Sequence, residues 1–101
     1  MTLNHCKIKS YIGFAIKSRC IKYGVDDILK LKTVHLILSS DSLAKSSSEK
    51  LLAFANKKNC EHFKLSLNDF LQLFDGNENV KAVAIVDSNL ASAIKKNITN
   101  V

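Results

Sequence analysis

Residues 23–40 read Tyr23-Gly24-Val25-Asp26-Asp27-Ile28-Leu29-Lys30-Leu31-Lys32-Thr33-Val34-His35-Leu36-Ile37-Leu38-Ser39-Ser40, and the run changes character twice. Gly24 frees the backbone to take positive φ and to approach another segment closely. After it comes a polar first turn and an apolar stripe at Val25, Ile28 and Leu29, with Leu31 at its margin, which predicts a short helix over residues 25–32. Thr33 to Ser39 is then β-branched and aliphatic with little alternation, the pattern of a central strand covered on both faces. The first amides of a helix are unpaired and carry partial positive charge outward, so a phosphate or a base edge suits the Gly24 position.

Working upstream, Ile8, Tyr11, Ile12, Ala15 and Ile16 form the stripe of an amphipathic helix over residues 7–17. Gly13 in its middle costs about 1 kcal/mol relative to Ala, and a close helix-to-sheet contact is the expected compensation. Residues 20–23 form a short strand leading into Gly24. Downstream, Ser39-Ser40-Asp41-Ser42 supplies turn and capping chemistry for a helix over residues 43–59, with Ala44, Leu51, Leu52 and Ala55 facing inward. A strand follows at residues 61–65, and then a helix opened by Ser66, with Asp69 three residues on as in a capping box. That helix runs to Phe74 and ends in the turn-rich Asp75-Gly76-Asn77-Glu78-Asn79. Residues 81–86 form the last strand and residues 88–96 the last helix, capped by Asp87 or Ser88. Helix and strand alternate with short connections, so the expected fold class is α/β, a three-layer α/β/α sandwich with a small mixed four-stranded sheet.

The 101 residues fit one domain, 1–101, and 47% hydrophobic with 24% charged residues is a globular composition. No apolar run approaches the ~20 residues of a membrane span, and Asn4, His5 and Lys7 interrupt any signal-peptide core. A cytoplasmic protein without a membrane partner is expected. The three cysteines, Cys6, Cys20 and Cys60, are odd in number and widely spaced, which predicts reduced thiols. Cys60-Glu61-His62 alternates faces along a strand and cannot chelate one metal, so no metal site and no cofactor are expected. His35 reads as a packed or edge histidine. Net charge is +6, and it is uneven: residues 1–50 hold nine Lys or Arg against four Asp or Glu, residues 51–101 six against five. A basic excess of this kind favours a polyanion partner.

Catalysis has little support. The chain has no nucleophile elbow, Gly-rich phosphate loop or zinc set. Asp26 and Asp27 are adjacent on a helix, about 100° apart, a poor geometry for an acid and a base sharing one substrate. Ser39, Ser40 and Asp41 near His35 are too local for a triad, whose members come from separate elements. Asp26 and Asp27 also complement the helix dipole, and Asp26 with Lys30 makes an i, i+4 pair.

Three segments carry a resemblance. Ile12-Gly13-Phe14-Ala15 is similar to a Leu-Gly-Leu-Ala in the first helix of the kink-turn RNA-binding ribosomal proteins of the large subunit (seven-Ae and thirty-e), in their small bacterial YlxQ-like branch. Gly24-Val25-Asp26-Asp27-Ile28-Leu29-Lys30 resembles, without a gap, that family's Gly-x-Asn-Glu-x-x-Lys signature. Ile37-Leu38-Ser39-Ser40-Asp41 resembles its Ile-Leu-Ala-x-Asp strand end. The likeness covers residues 7–96 and implies a thirty-e-like fold and a non-catalytic protein binding kink-turn or other structured RNA, with the ribosome a possible home. In the family the Asn, Glu and Lys of the signature read tandem sheared G·A pairs, and a second loop also faces RNA. Here Leu71-Gln72-Leu73-Phe74-Asp75-Gly76 occupies that loop's place. The implied RNA-binding residues are Gly24, Asp26, Asp27, Lys30, Lys32, Gly76, Asn77 and Asn79. Asp26 stands where the family has Asn, Asp27 where it has Glu, and Gln72 and Phe74 where it has small residues. The alternative expectation is a protein-interaction or ribosome-assembly factor with weak or no kink-turn affinity.

Overall fold

The computed structural model describes residues 2–99. Five helices and four strands alternate around one sheet: α1 (His5–Lys17), β2 (Ile21–Tyr23), α2 (Val25–Leu29), β3 (Leu36–Ser40), α3 (Lys45–Lys58), β4 (Glu61–Leu65), α4 (Leu67–Leu73), β5 (Ala82–Ile85) and α5 (Ser88–Lys96). Two further short strands, β1 (Thr2–Leu3) and β6 (Ile98–Thr99), pair antiparallel as a ribbon that ties the chain ends together. The sheet order is β2-β5-β3-β4, mixed because β3 and β4 run parallel while β5 is antiparallel to both its neighbours.

Side-chain alternation sorts the core into two layers. Leu36, Leu38, Val83, Ile85, Ile21 and Leu65 pack under α1, α4 and α5, against Ile8, Ile12, Phe70, Leu73 and Ile94. Ile37, Ala82 and Ala84 project from the other face against Ile28 of α2 and Leu51 and Ala55 of α3. The result is the expected α/β/α sandwich, with β3 and β5 buried along their whole lengths in the middle. Alanines at 82 and 84 leave room on that face for the short α2, whose one fully buried side chain is Ile28.

The structure corrects several sequence expectations. α2 ends at Leu29 rather than residue 32, and β3 begins at Leu36, so residues 30–35 form a connection. Ser39 and Ser40 are not turn residues; they close β3 and are fully buried. Their hydroxyls make this tolerable: Ser39 Oγ lies 2.7 Å from His62 Nε2, and Ser40 Oγ accepts from the Ser42 amide. α3 starts two residues later than expected, and Ala44 and Leu52 face solvent, Leu52 at 52% exposure. Ser66 does cap α4, accepting from the Asp69 amide, but Asp69 does not reach back to it. Asp69 instead accepts from His5 Nε2 at 2.8 Å, and the Leu67 amide is capped by Asp41 Oδ1 from the end of β3. The close contact expected at Gly13 is absent: a Cβ built there would meet nothing within 4 Å.

Candidate functional site

The registers set one end of the sheet apart. β2 and β3 finish there, β4 finishes beside β3, and β5 starts there, so the exits of three strands and the entry of the fourth converge. Gly24 leaves β2 with φ +85 and ψ 144, a backbone state that essentially only glycine adopts. The requirement lies in the backbone and not in space, since a Cβ on Gly24 would touch nothing. Its N–H donates to Ala82 O at 3.0 Å, which fastens the start of α2 to the start of β5.

The loop that feeds β5 is the one the sequence placed after Gly76. α4 ends in a reverse turn with Asp75 at φ +55 and Gly76 at φ +77, where Gly76 N–H donates to Leu71 O at 2.7 Å, a Schellman closure. Asn77 Oδ1 then accepts from the Asn79 amide, and the Asn77 side-chain NH2 is a hydrogen-bond donor. Asn77 lines a cavity with Tyr23, while Asn79 lies on the other flank with Ser42, Leu67 and Lys81. Gly24, Asp26, Asp27, Gly76, Asn77 and Asn79 are all exposed and gathered about this end.

Lys32 does not belong to that group. The residues after α2 descend to the start of β3, and Lys32 lies at the far end of the sheet, where its carbonyl accepts from Lys58 Nζ at 2.9 Å. Lys30 is the C-cap of α2 and stands between the two ends. The Gly24 end itself is not basic. Asp26, Asp27, Asp41, Asp75 and Glu78 are exposed there with Lys45 and Lys81 among them, and Lys9 is paired with Asp75. Such an end repels phosphates and offers carboxylate acceptors to N–H groups, which suits base edges better than backbone.

Beside this end lies an apolar cavity of about 440 Å³, bounded by Ile12, Gly13, Ile16, Tyr23, Phe74 and Val80. Tyr23 and Phe74 meet edge to face at 6.4 Å, and Phe14 (58% exposed) and Ile16 (49%) stand out on the same helix. Sequence reasoning missed the cavity because Gly13 reads as a packing glycine, whereas it leaves the wall open.

His62, half-buried beneath α3, is held below its ordinary pKa of 6.5, first by burial and then by the charge of Lys64. The Cys60 thiol is pushed up by burial. All three cysteines are free. Among the described residues no three His, Cys, Asp or Glu side chains converge as a metal set, and no helix is long and apolar enough to cross a membrane.

No family model and no curated protein matches the chain. Its structure is similar to that of a protein of unknown function from Bacillus halodurans C, with a TM-score of 0.76 at 16% identity, over 89% of this chain and 94% of the other. That likeness shows a shared fold.

Proposed function

We propose that this chain is a small, non-catalytic, cytoplasmic RNA-binding protein of the kink-turn-binding ribosomal type, which reads structured RNA with the Gly24 end of its sheet. The observation that carries the reading is the bond from Gly24 N–H to Ala82 O. It brings Gly24 with the first turn of α2, Asp26 and Asp27, and the loop after Gly76, distant in the chain, to one exposed surface. Two polar segments at a fixed separation suit a bent RNA with unstacked, splayed bases, the kind of RNA element proteins recognise by sequence. Carboxylates of Asp26 and Asp27 accept from base N–H groups, and the Asn77 amide donates.

Gly24→Val is the direct test. A Cβ meets nothing there, but an L side chain does not suit the φ of +85, so the variant is expected to keep its fold while the start of α2 shifts and kink-turn binding falls. Unchanged binding by a folded Gly24→Val protein would reject this surface. The exposed Phe14 and Ile16 beside the apolar cavity favour a second reading, a protein-interaction or ribosome-assembly factor. That second reading is the one an unchanged Gly24→Val titration would leave standing.

A further inference from the structure

The opposite end of the sheet carries the positive charge that the Gly24 end lacks. β2, β3 and β4 all start there, so α1 and α3 finish there and the connection after α2 runs down to it. Lys17 and Arg19 leave α1, Lys32 follows α2, and Lys57 and Lys58 close α3. A groove of about 520 Å³ runs between Lys32, His35, Lys58 and Lys95. The carboxylates nearby are already engaged: Glu61 pairs with Lys95 at 2.9 Å, and Asp87 Oδ1 caps the Leu90 amide.

Lysines in the last turn of a helix commonly offset its dipole, and Lys17, Lys57 and Lys58 are so placed. That role does not account for the whole cluster. Each helix C-terminus is worth about half a negative charge, so the two of α1 and α3 together with two engaged carboxylates leave several cations over. Arg19 and Lys32 lie beyond the last helical residues altogether. Lys58 is also held in place, its Nζ donating to Lys32 O and lying 5.7 Å from the centre of the Phe54 ring. A cation already held in place loses little entropy when an anion arrives.

We propose that this basic end is a second binding surface, one that takes the phosphodiester backbone of double-stranded RNA without reading its sequence. Phosphates are the fit for a groove lined by ammonium groups with no exposed aromatic platform for stacking bases, and a duplex presents them in a regular row. The two ends then divide the work, base edges at the carboxylate-bearing Gly24 end and backbone charge at the other. The inference rests on the RNA reading for the identity of the polyanion and not for its location.

The test is a salt titration of plain duplex RNA binding, between about 50 and 200 mM salt, where counterion release contributes roughly 0.7 to 0.9 to the log–log slope per phosphate contact. The triple variant Lys32→Gln, Lys57→Gln, Lys58→Gln is compared with a charge-matched control, Lys7→Gln, Lys50→Gln, Lys64→Gln, with melting temperatures recorded for both. The expected result is a slope lower by about two to three for the first and by less than one for the control. The preference of the first variant for a kink-turn over its G·A-disrupted form should equal that of the wild type. Equal slopes for the two variants, a melting-temperature loss without any slope change, or binding of inorganic tripolyphosphate with indifference to duplex RNA would each overturn the proposal. Absence of any kink-turn preference in the wild type would count against the Gly24 reading and leave the slope comparison to judge this one.

Discussion

Asp26 is the residue on which the base-reading account turns. Where the related signature has an amide that both donates and accepts, Asp26 can only accept, and it shares an exposed first turn with Asp27. Asp26→Asn should therefore tighten kink-turn binding by on the order of 1 to 3 kcal/mol, the worth of one good base contact, as read by calorimetric titration. If Asp26 serves only the helix dipole, the same change leaves affinity alone and costs a few tenths of a kcal/mol of stability. His62 gives a prediction of a different kind. Its folded-state pKa lies below 6.5, so the unfolded chain takes up the proton at higher pH than the folded one does. Stability is then full above about 6.5 and declines as the pH falls toward and through the folded value. Denaturant titrations across that window should show the decline, and His62→Gln should flatten it. A wild-type curve with no slope just below pH 6.5 would contradict the burial of this imidazole. Neither the buried Ser39–His62 pair nor the depressed pKa was legible in sequence, because Ser39 and Ser40 have the composition of a turn and only the parallel pairing of β3 with β4 brings Ser39 to His62.

At the scale of elements, the apolar runs of β3 and β5 lie in the core, and so do Ile8, Ile12 and Ala15 of the α1 stripe, since burial on one face or both imposes those periods, whereas Ile16, expected on the same stripe, stands exposed at the edge of the apolar cavity. The C-terminal ends of α1, α3 and α4 fall within a residue of their expected places, at Lys17, Lys58 and Leu73, even though α1 and α3 close through Arg19 and Asn59 at positive φ rather than through a glycine. α2 was overextended: helix propensity continues through Lys30, Leu31 and Lys32, but a five-residue helix is held by packing, and only Ile28 is fully buried. Ala44 and Leu52 fell on the expected inner face of a helix begun two residues too early. α1 yields a clean test. With open space at position 13 and a helical backbone there, Gly13→Ala should raise stability by about 0.5 to 1 kcal/mol and narrow the adjoining cavity. A destabilised Gly13→Ala protein would mean that the glycine meets a neighbour after all.

For the molecule as a whole, the alternation of helix and strand made the α/β/α sandwich legible, and the one parallel pair required by a short β3–α3–β4 crossover made the sheet mixed. The polarity of the molecule was not legible. Charge counts showed a basic first half, yet the sheet sends Lys17, Arg19 and Lys32 to one end and Asp26, Asp27 and Asp41 to the other, although they are interleaved along the chain. Lys32 was thus grouped by sequence with a surface it does not share. The central claim is that the Gly24 end reads RNA shape through base edges, and it meets its most direct test in the ratio of two affinities measured at one salt concentration. Calorimetric titration of the wild-type protein against a kink-turn RNA and against the same RNA with its sheared G·A pairs disrupted should give a preference of about tenfold or more for the intact form, since losing even one good base contact costs about 1 to 3 kcal/mol. Equal affinities for the two RNAs would contradict the account.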